Sequence, residues 1–365
     1  MTNQALTHDE AVEEVYRLTP QIRDYDEFMY MGVRWIPYTM FFQHPNYVSN
    51  AINTDNYGFR LTDVENNIFG VEKGSSERVN LIVGGSTVLG TGATADQHTL
   101  ASNLTRIHGQ PWINFSCRGY NATQELLLFL MHRQKIKDIN NVVVFSGMNT
   151  LSLEGMPTEF ESDHGRYYYS YEFEHYMQKY NVDLKRRVNS YGDDLGNKKK
   201  AFSSIRNWIN NVIEDAENPT DKVIHDEDIP IEERVQRAID TTIKSLEEWK
   251  ILLQPYKAKL TFMLQPMASW TKDELHADEK AIFHAIDSCP NNFWRLFGHI
   301  LGKEVHPLFA NGLREACNKL DIDFHDMNEL IATSDFIEDY VFVDRVHFND
   351  HGHEKVSDLI YRQIA

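Results

Sequence analysis

Val79-Asn-Leu-Ile-Val-Gly84-Gly85-Ser86-Thr87-Val88-Leu89-Gly90 is a short apolar run that empties into two glycines and a serine. A continuous β-branched run of this length suits a strand buried on both faces of a parallel sheet. The small residues after it let the backbone turn sharply and leave the Ser86 hydroxyl and amide at the strand's carboxyl end. The glycine spacing is that of a phosphate loop, but Thr91 stands where such a loop needs lysine. It is not the GxSxG elbow of the larger α/β-hydrolases either, because Val88 occupies the second glycine position. Taken alone, the segment fits a structural turn serine as well as a nucleophile.

Four more runs of strand length lie outward from it: Trp112–Phe115, Asn141–Ser146, Lys259–Gln265 and Ile322–His325. Helix-like segments separate them. Thr123–Lys137 follows an Asn121 N-cap and ends in basic residues, as the helix dipole prefers. Glu232–Leu253 and His306–Leu320 carry apolar residues at helical spacing before the fourth and fifth strands. This alternation predicts an α/β fold with a doubly wound, central parallel sheet. Residues 1–75, aromatic-rich at Phe28–Phe42, are expected to form an extension packed on the core, and residues 76–365 the main domain. The pattern breaks at about 154–230, with Tyr167, Tyr168, Tyr169 and Tyr171, the basic Lys198–Lys200 and the acidic Asp215–Asp228. That stretch reads as a partly helical insertion, a lid or dimerisation element being the alternative.

A formal charge of −18 argues against a nucleic-acid or anionic-membrane surface, since phosphate binding rests on an excess of Lys and Arg. Cys117, Cys289 and Cys317 are widely spaced, which predicts neither a disulfide framework nor a structural zinc site. The first residues lack the basic and apolar regions of a signal peptide, and no apolar run is long enough to span a membrane. A cytoplasmic location is therefore expected, and a homo-oligomer is left open.

Three further fragments carry chemistry. Asn149 lies three residues past a predicted strand, where its side-chain amide suits an oxyanion donor or a turn asparagine. Gly119 follows the second strand and offers a backbone N–H, or is simply a loop glycine. Asp344-Arg-Val-His347 places a general base beside a carboxylate able to orient it. A metal reading competes there, with Asp344, His347, His351 and His353 as ligands, His351-Gly352-His353 being read as an exposed helix start. Ser86, Gly119 and Asn149 each follow a predicted strand, where doubly wound sheets bind ligands. Asp344 and His347 follow the last one.

In this order, Ser86, Gly119, Asn149 and His347, with Asp344, resemble the marker residues of the SGNH hydrolase superfamily of GDSL-like lipases and esterases. Gly119-Tyr-Asn-Ala-Thr-Gln-Glu125, His347-Phe-Asn-Asp-His-Gly352 and Asn53-Thr-Asp-Asn-Tyr-Gly-Phe-Arg60 are similar to family text as well. The likeness spans roughly residues 50–150 and 255–365. It implies a flavodoxin-like three-layer α/β/α sandwich, serine ester chemistry and no cofactor. Ser86, His347 and Asp344 would be the catalytic triad, and Ser86 N–H, Gly119 N–H and the Asn149 side chain the oxyanion hole. The expected substrate is a small-molecule acyl ester, in the first instance an acetylated carbohydrate or similar metabolite. An acyltransferase with the same triad and a non-catalytic binding protein on the same fold are the alternatives. Two positions depart from the pattern: Gly85 stands where the family carries Asp, and Thr150 where it often does.

Overall fold

The computed structural model describes residues 7–30, 34–157, 165–170, 177–185, 229–289 and 292–365. Five strands form the central sheet: β1 (Arg78–Gly84), β2 (Trp112–Ser116), β3 (Asp138–Ser146), β4 (Lys259–Leu264) and β5 (Asp323–Asp326). All neighbours pair in parallel in the order β2-β1-β3-β4-β5, the order of a flavodoxin-like sheet. Each strand overlaps the run expected from composition, with ends displaced by up to three residues.

The helices that matter for the site are α1 (Leu100–His108), α2 (Ala122–His132), α3 (Met148–Glu154), α4 (Ile231–Leu253), α5 (Ala277–Asp287), α6 (Val305–Lys319) and α7 (Asp350–Ile364). Side chains alternate along each strand, and both faces are buried. Leu81, Val83, Val142, Val144, Phe262 and Leu264 share one core with Phe129 of α2, Trp249 of α4 and Phe309 of α6. Ile82, Val143, Phe145 and Met263 share another with Leu104 of α1, Phe283 of α5 and Ile360 of α7. Burial on both faces explains why the strands read as continuous apolar runs rather than alternating ones. The result is a three-layer α/β/α sandwich.

Helix α2 starts at Asn121, whose side chain accepts from Gln124 N–H at 3.0 Å while Gln124 returns the bond in a capping box. It ends at His132, short of the expected Lys137, where the chain tightens into a 3₁₀ turn, Arg133–Lys135. Tyr25, in the N-terminal segment, reaches the turn that follows β1. Tyr25 Oη donates to the carbonyls of Gly90 (2.7 Å) and Ala93 (2.8 Å).

The basic run Lys198–Lys200 and the whole acidic run Asp215–Asp228 lie outside the described residues, as does Tyr171. Among the described residues no helix is long and apolar enough to cross a membrane, and the three cysteines are free.

Candidate active site

The sheet register brings the strand ends level, because Gly84 pairs with Ser116 on one side and Phe145 on the other. The loops leaving β1, β2 and β3 therefore emerge side by side. Ser86 opens a helical turn, Ser86–Leu89, capped by Gly85. Its N–H sits at a helix start, where no intrahelical partner exists. A Cβ at Gly85 would lie 2.4 Å from Asn149 Nδ2, so no larger side chain fits at this position without displacing Asn149.

His347 Nε2 lies 2.7 Å from Ser86 Oγ, and His347 Nδ1 lies 2.6 Å from Asp344 Oδ2. The other Asp344 oxygen accepts from the backbone N–H groups of Val346 and His347, both at 2.8 Å. One carboxylate therefore shapes the turn with one oxygen and orients the imidazole with the other, which is what the three-residue spacing provides. Burial pushes the Asp344 carboxyl up, but the His347 ring and the two backbone N–H groups outweigh it, holding the group below the usual carboxylate range. Thr87 Oγ1 donates to Val346 O (3.0 Å) and accepts from Gln265 Nε2 (2.7 Å), tying the serine turn to the histidine loop.

Asn149 lies in the first turn of α3. One hydrogen of its Nδ2 is donated to Tyr120 O at 2.9 Å, which fixes the amide and leaves the second hydrogen uncommitted. Gly119 has φ +69°, a left-handed conformation that glycine adopts at little cost. Among the described residues no protein group accepts its N–H. Thr150 accepts from Ala122 N–H at 3.1 Å and so pins α3 to the start of α2.

Ser86, Gly119, Asn149, Asp344 and His347 line one cavity of about 310 Å³. Its remaining wall is mostly apolar, formed by Phe28, Met29, Leu89, Tyr168, Tyr169, Ile286, Phe293 and Trp294, with Thr91, Tyr25, Val346, Arg118, Asp287 and Arg345. Chemically, the arrangement can pass a proton from Ser86 Oγ to His347 Nε2 while N–H donors face a neighbouring oxyanion.

The four residues of the metal reading do not converge. His351 Nε2 contacts Asp339 Oδ2 at 2.8 Å, and His353 is wholly buried with its ring edge-on to Phe348. Among the described residues no group of three metal-ligating side chains is present. The expected exposed helix start is also corrected. Residues 351–353 do begin α7, but Gly352 and His353 are buried because the turn packs under Val341 and Phe348.

One support was not legible as such. Arg60 is fully buried, donates Nε to Asp96 at 2.8 Å, and donates Nη1 to Leu89 O (2.8 Å), Gly90 O (2.9 Å) and Tyr25 Oη (2.9 Å). It braces the far end of the Ser86 turn from beneath. Asp55 completes the same block by accepting from Tyr57, Gly58, Phe59 and Val71 N–H groups. The Asn53–Arg60 stretch was the available signal, without a role attached.

No family model and no curated protein matches this chain. Among solved structures it is similar to a lipase/acylhydrolase from Enterococcus faecalis, at 13% identity and TM-score 0.39, covering 79% of this chain and 95% of that one. It is similar also to the acetyl xylan esterase AlAXEase, at 12% identity and TM-score 0.38, over 79% and 100% of the two chains. A third is Est24, a carbohydrate acetylesterase from Sinorhizobium meliloti, at 10% identity and TM-score 0.41, over 79% and 98%.

Proposed function

We propose that this chain is a serine esterase of the SGNH type that hydrolyses a small acyl ester of a sugar or comparable small metabolite. The observation that carries the reading is the unbroken contact line from Ser86 Oγ through His347 to Asp344, at 2.7 and 2.6 Å, on the carboxyl edge of a parallel sheet. Ser86 Oγ attacks the ester carbonyl carbon as its proton passes to His347 Nε2. Ser86 N–H, Gly119 N–H and Asn149 Nδ2 donate to the oxyanion that develops. Collapse of the intermediate breaks the carbon–oxygen bond to the alcohol, which leaves with the proton from His347. Water then repeats the sequence on the acyl-serine, releasing the acid and restoring Ser86. Asp344 holds the imidazole in the required tautomer throughout.

Tyr168 packs over Gly119, with its Cδ2 3.1 Å from where a Gly119 Cβ would be, and so forms the wall beside the proposed oxyanion loop. The test is turnover of p-nitrophenyl acetate together with labelling by a fluorophosphonate. Both are expected in the native chain and absent in Ser86→Ala at unchanged melting temperature. Activity retained by Ser86→Ala, or no labelling of the native serine, overturns the reading.

A further inference from the structure

We propose that Arg118 binds an anionic group, carboxylate or phosphate, carried by the ester substrate close to its scissile bond. This rests on the esterase reading and narrows its substrate class.

Among the described residues, the charged groups on the cavity wall are matched with one exception. Arg345 Nη2 contacts Asp287 Oδ2 at 2.5 Å, and its guanidinium lies 4.3 Å from the Trp294 ring centroid. Both oxygens of Asp344 are occupied by His347 and two backbone N–H groups. Arg118 lines the same cavity, yet among the described residues no carboxylate pairs with it and no acceptor takes its Nη1, which is shielded from solvent. Its guanidinium lies over the Phe28 ring, 6.0 Å from the centroid.

An arginine without a counter-charge is unexpected in a chain of net charge −18, where acidic partners are plentiful. Holding a partly desolvated guanidinium beside an apolar wall is costly unless an anion completes it. Gln43 Oε1 also lacks a partner and lines a small adjacent cavity of about 10 Å³ with Arg118. A water there would occupy one of five N–H donors and leave the charge uncompensated. The remaining fork is suited to two oxygens of a carboxylate or phosphate. Arg118 immediately precedes Gly119 in the chain and lines the same cavity as Ser86 and His347, so an anion held on it shares that cavity with the scissile bond.

The test compares kcat/KM of the native chain, Arg118→Met and Arg118→Lys on four esters: neutral p-nitrophenyl acetate, mono-p-nitrophenyl succinate with the anion on the acyl side, and 4-acetoxybenzoate and 4-acetoxyphenyl phosphate with carboxylate or phosphate on the alcohol side. The native-to-variant ratio for each ester cancels its intrinsic reactivity. For at least one anionic ester, the Arg118→Met ratio is expected to exceed that for p-nitrophenyl acetate by tenfold or more. Arg118→Lys should recover part of the difference, and the preferred ester identifies the source of the anion. Ratios equal within threefold across all four esters overturn the proposal, while turnover of the neutral ester leaves the esterase reading standing. A measurement independent of turnover uses Ser86→Ala, with benzoate, succinate and phenyl phosphate as calorimetric probes. Saturable binding of one probe, lost in Ser86→Ala/Arg118→Met, supports the anion site even if no ester is hydrolysed, and absence of binding by all three counts against it.

Discussion

Replacing Gly85 by alanine adds one methyl group at the closest approach between the serine turn and the candidate oxyanion donor. The new Cβ would sit 2.4 Å from Asn149 Nδ2, whereas ordinary contact begins near 3.4 Å. Gly85 has a negative φ, −85°, so the left-handed conformation that favours glycine is not what the substitution disturbs. The amide must therefore retreat by about 1 Å, and it cannot do so while keeping its 2.9 Å bond to Tyr120 O. Displacement on this scale removes a preorganised oxyanion contact, which costs roughly 10²–10³ in kcat, or about 3–4 kcal/mol of transition-state stabilisation. The assay is kcat for p-nitrophenyl acetate in Gly85→Ala, Asn149→Ala and the double variant, with melting temperature as the control for folding. If both single changes act through the same donor, the double variant should be little worse than either. A Gly85→Ala chain that folds normally and keeps kcat within threefold of native would refute the assignment of Asn149.

Asp344→Asn is expected to lower kcat by about 10³–10⁴, measured on the same ester, because the amide can stabilise the wrong imidazole tautomer. Glu125 is fully buried, accepts from Ser146 Oγ at 2.7 Å and leaves Oε2 unpartnered. Burial pushes its carboxyl up to about 8 against the pull of that hydrogen bond, so from about pH 4.5 to 8 the folded chain holds a proton that the unfolded chain has released. Stability from this group is present below that window and falls as pH rises through it. The melting temperature of Glu125→Gln should therefore gain on native progressively from pH 5 to 8, and parallel curves would contradict the argument. Lys272 and Glu279 form a wholly buried ion pair at 2.8 Å, and Glu279 Oε1 also accepts from Val341 and Phe342 N–H just before the Asp344 loop. Lys272→Met should destabilise the chain by about 3–5 kcal/mol in urea unfolding, and Lys272→Met/Glu279→Leu should recover part of that loss.

Local composition carries much of the fold. Strands buried on both faces need apolar, β-branched residues in unbroken runs, so VNLIVG and NVVVF announce themselves without knowledge of their neighbours. The Asp344–His347 spacing is similarly local, since the carboxylate closes its own turn through two backbone N–H groups. Helix ends are less legible. The stop at His132 rather than Lys137 places no breaker in the sequence, and exposure of residues 351–353 could not be read because α7 buries its first turn against a distant loop.

By itself, then, the sequence determined the alternation of strands and helices and the identity of the residues at the strand ends, because both follow from chemistry within a few positions. Tertiary structure decided what those residues meet. The 2.7 Å contact between Ser86 and His347 spans 261 positions, and Arg60 reaches the serine turn across some thirty. The same holds for the fit of Gly85 against Asn149, the aromatic wall of Tyr168 and Trp294, and the unmatched charge of Arg118. Such contacts depend on sheet order and register, which bring loops remote in sequence to one edge, and no local propensity encodes the distance between them.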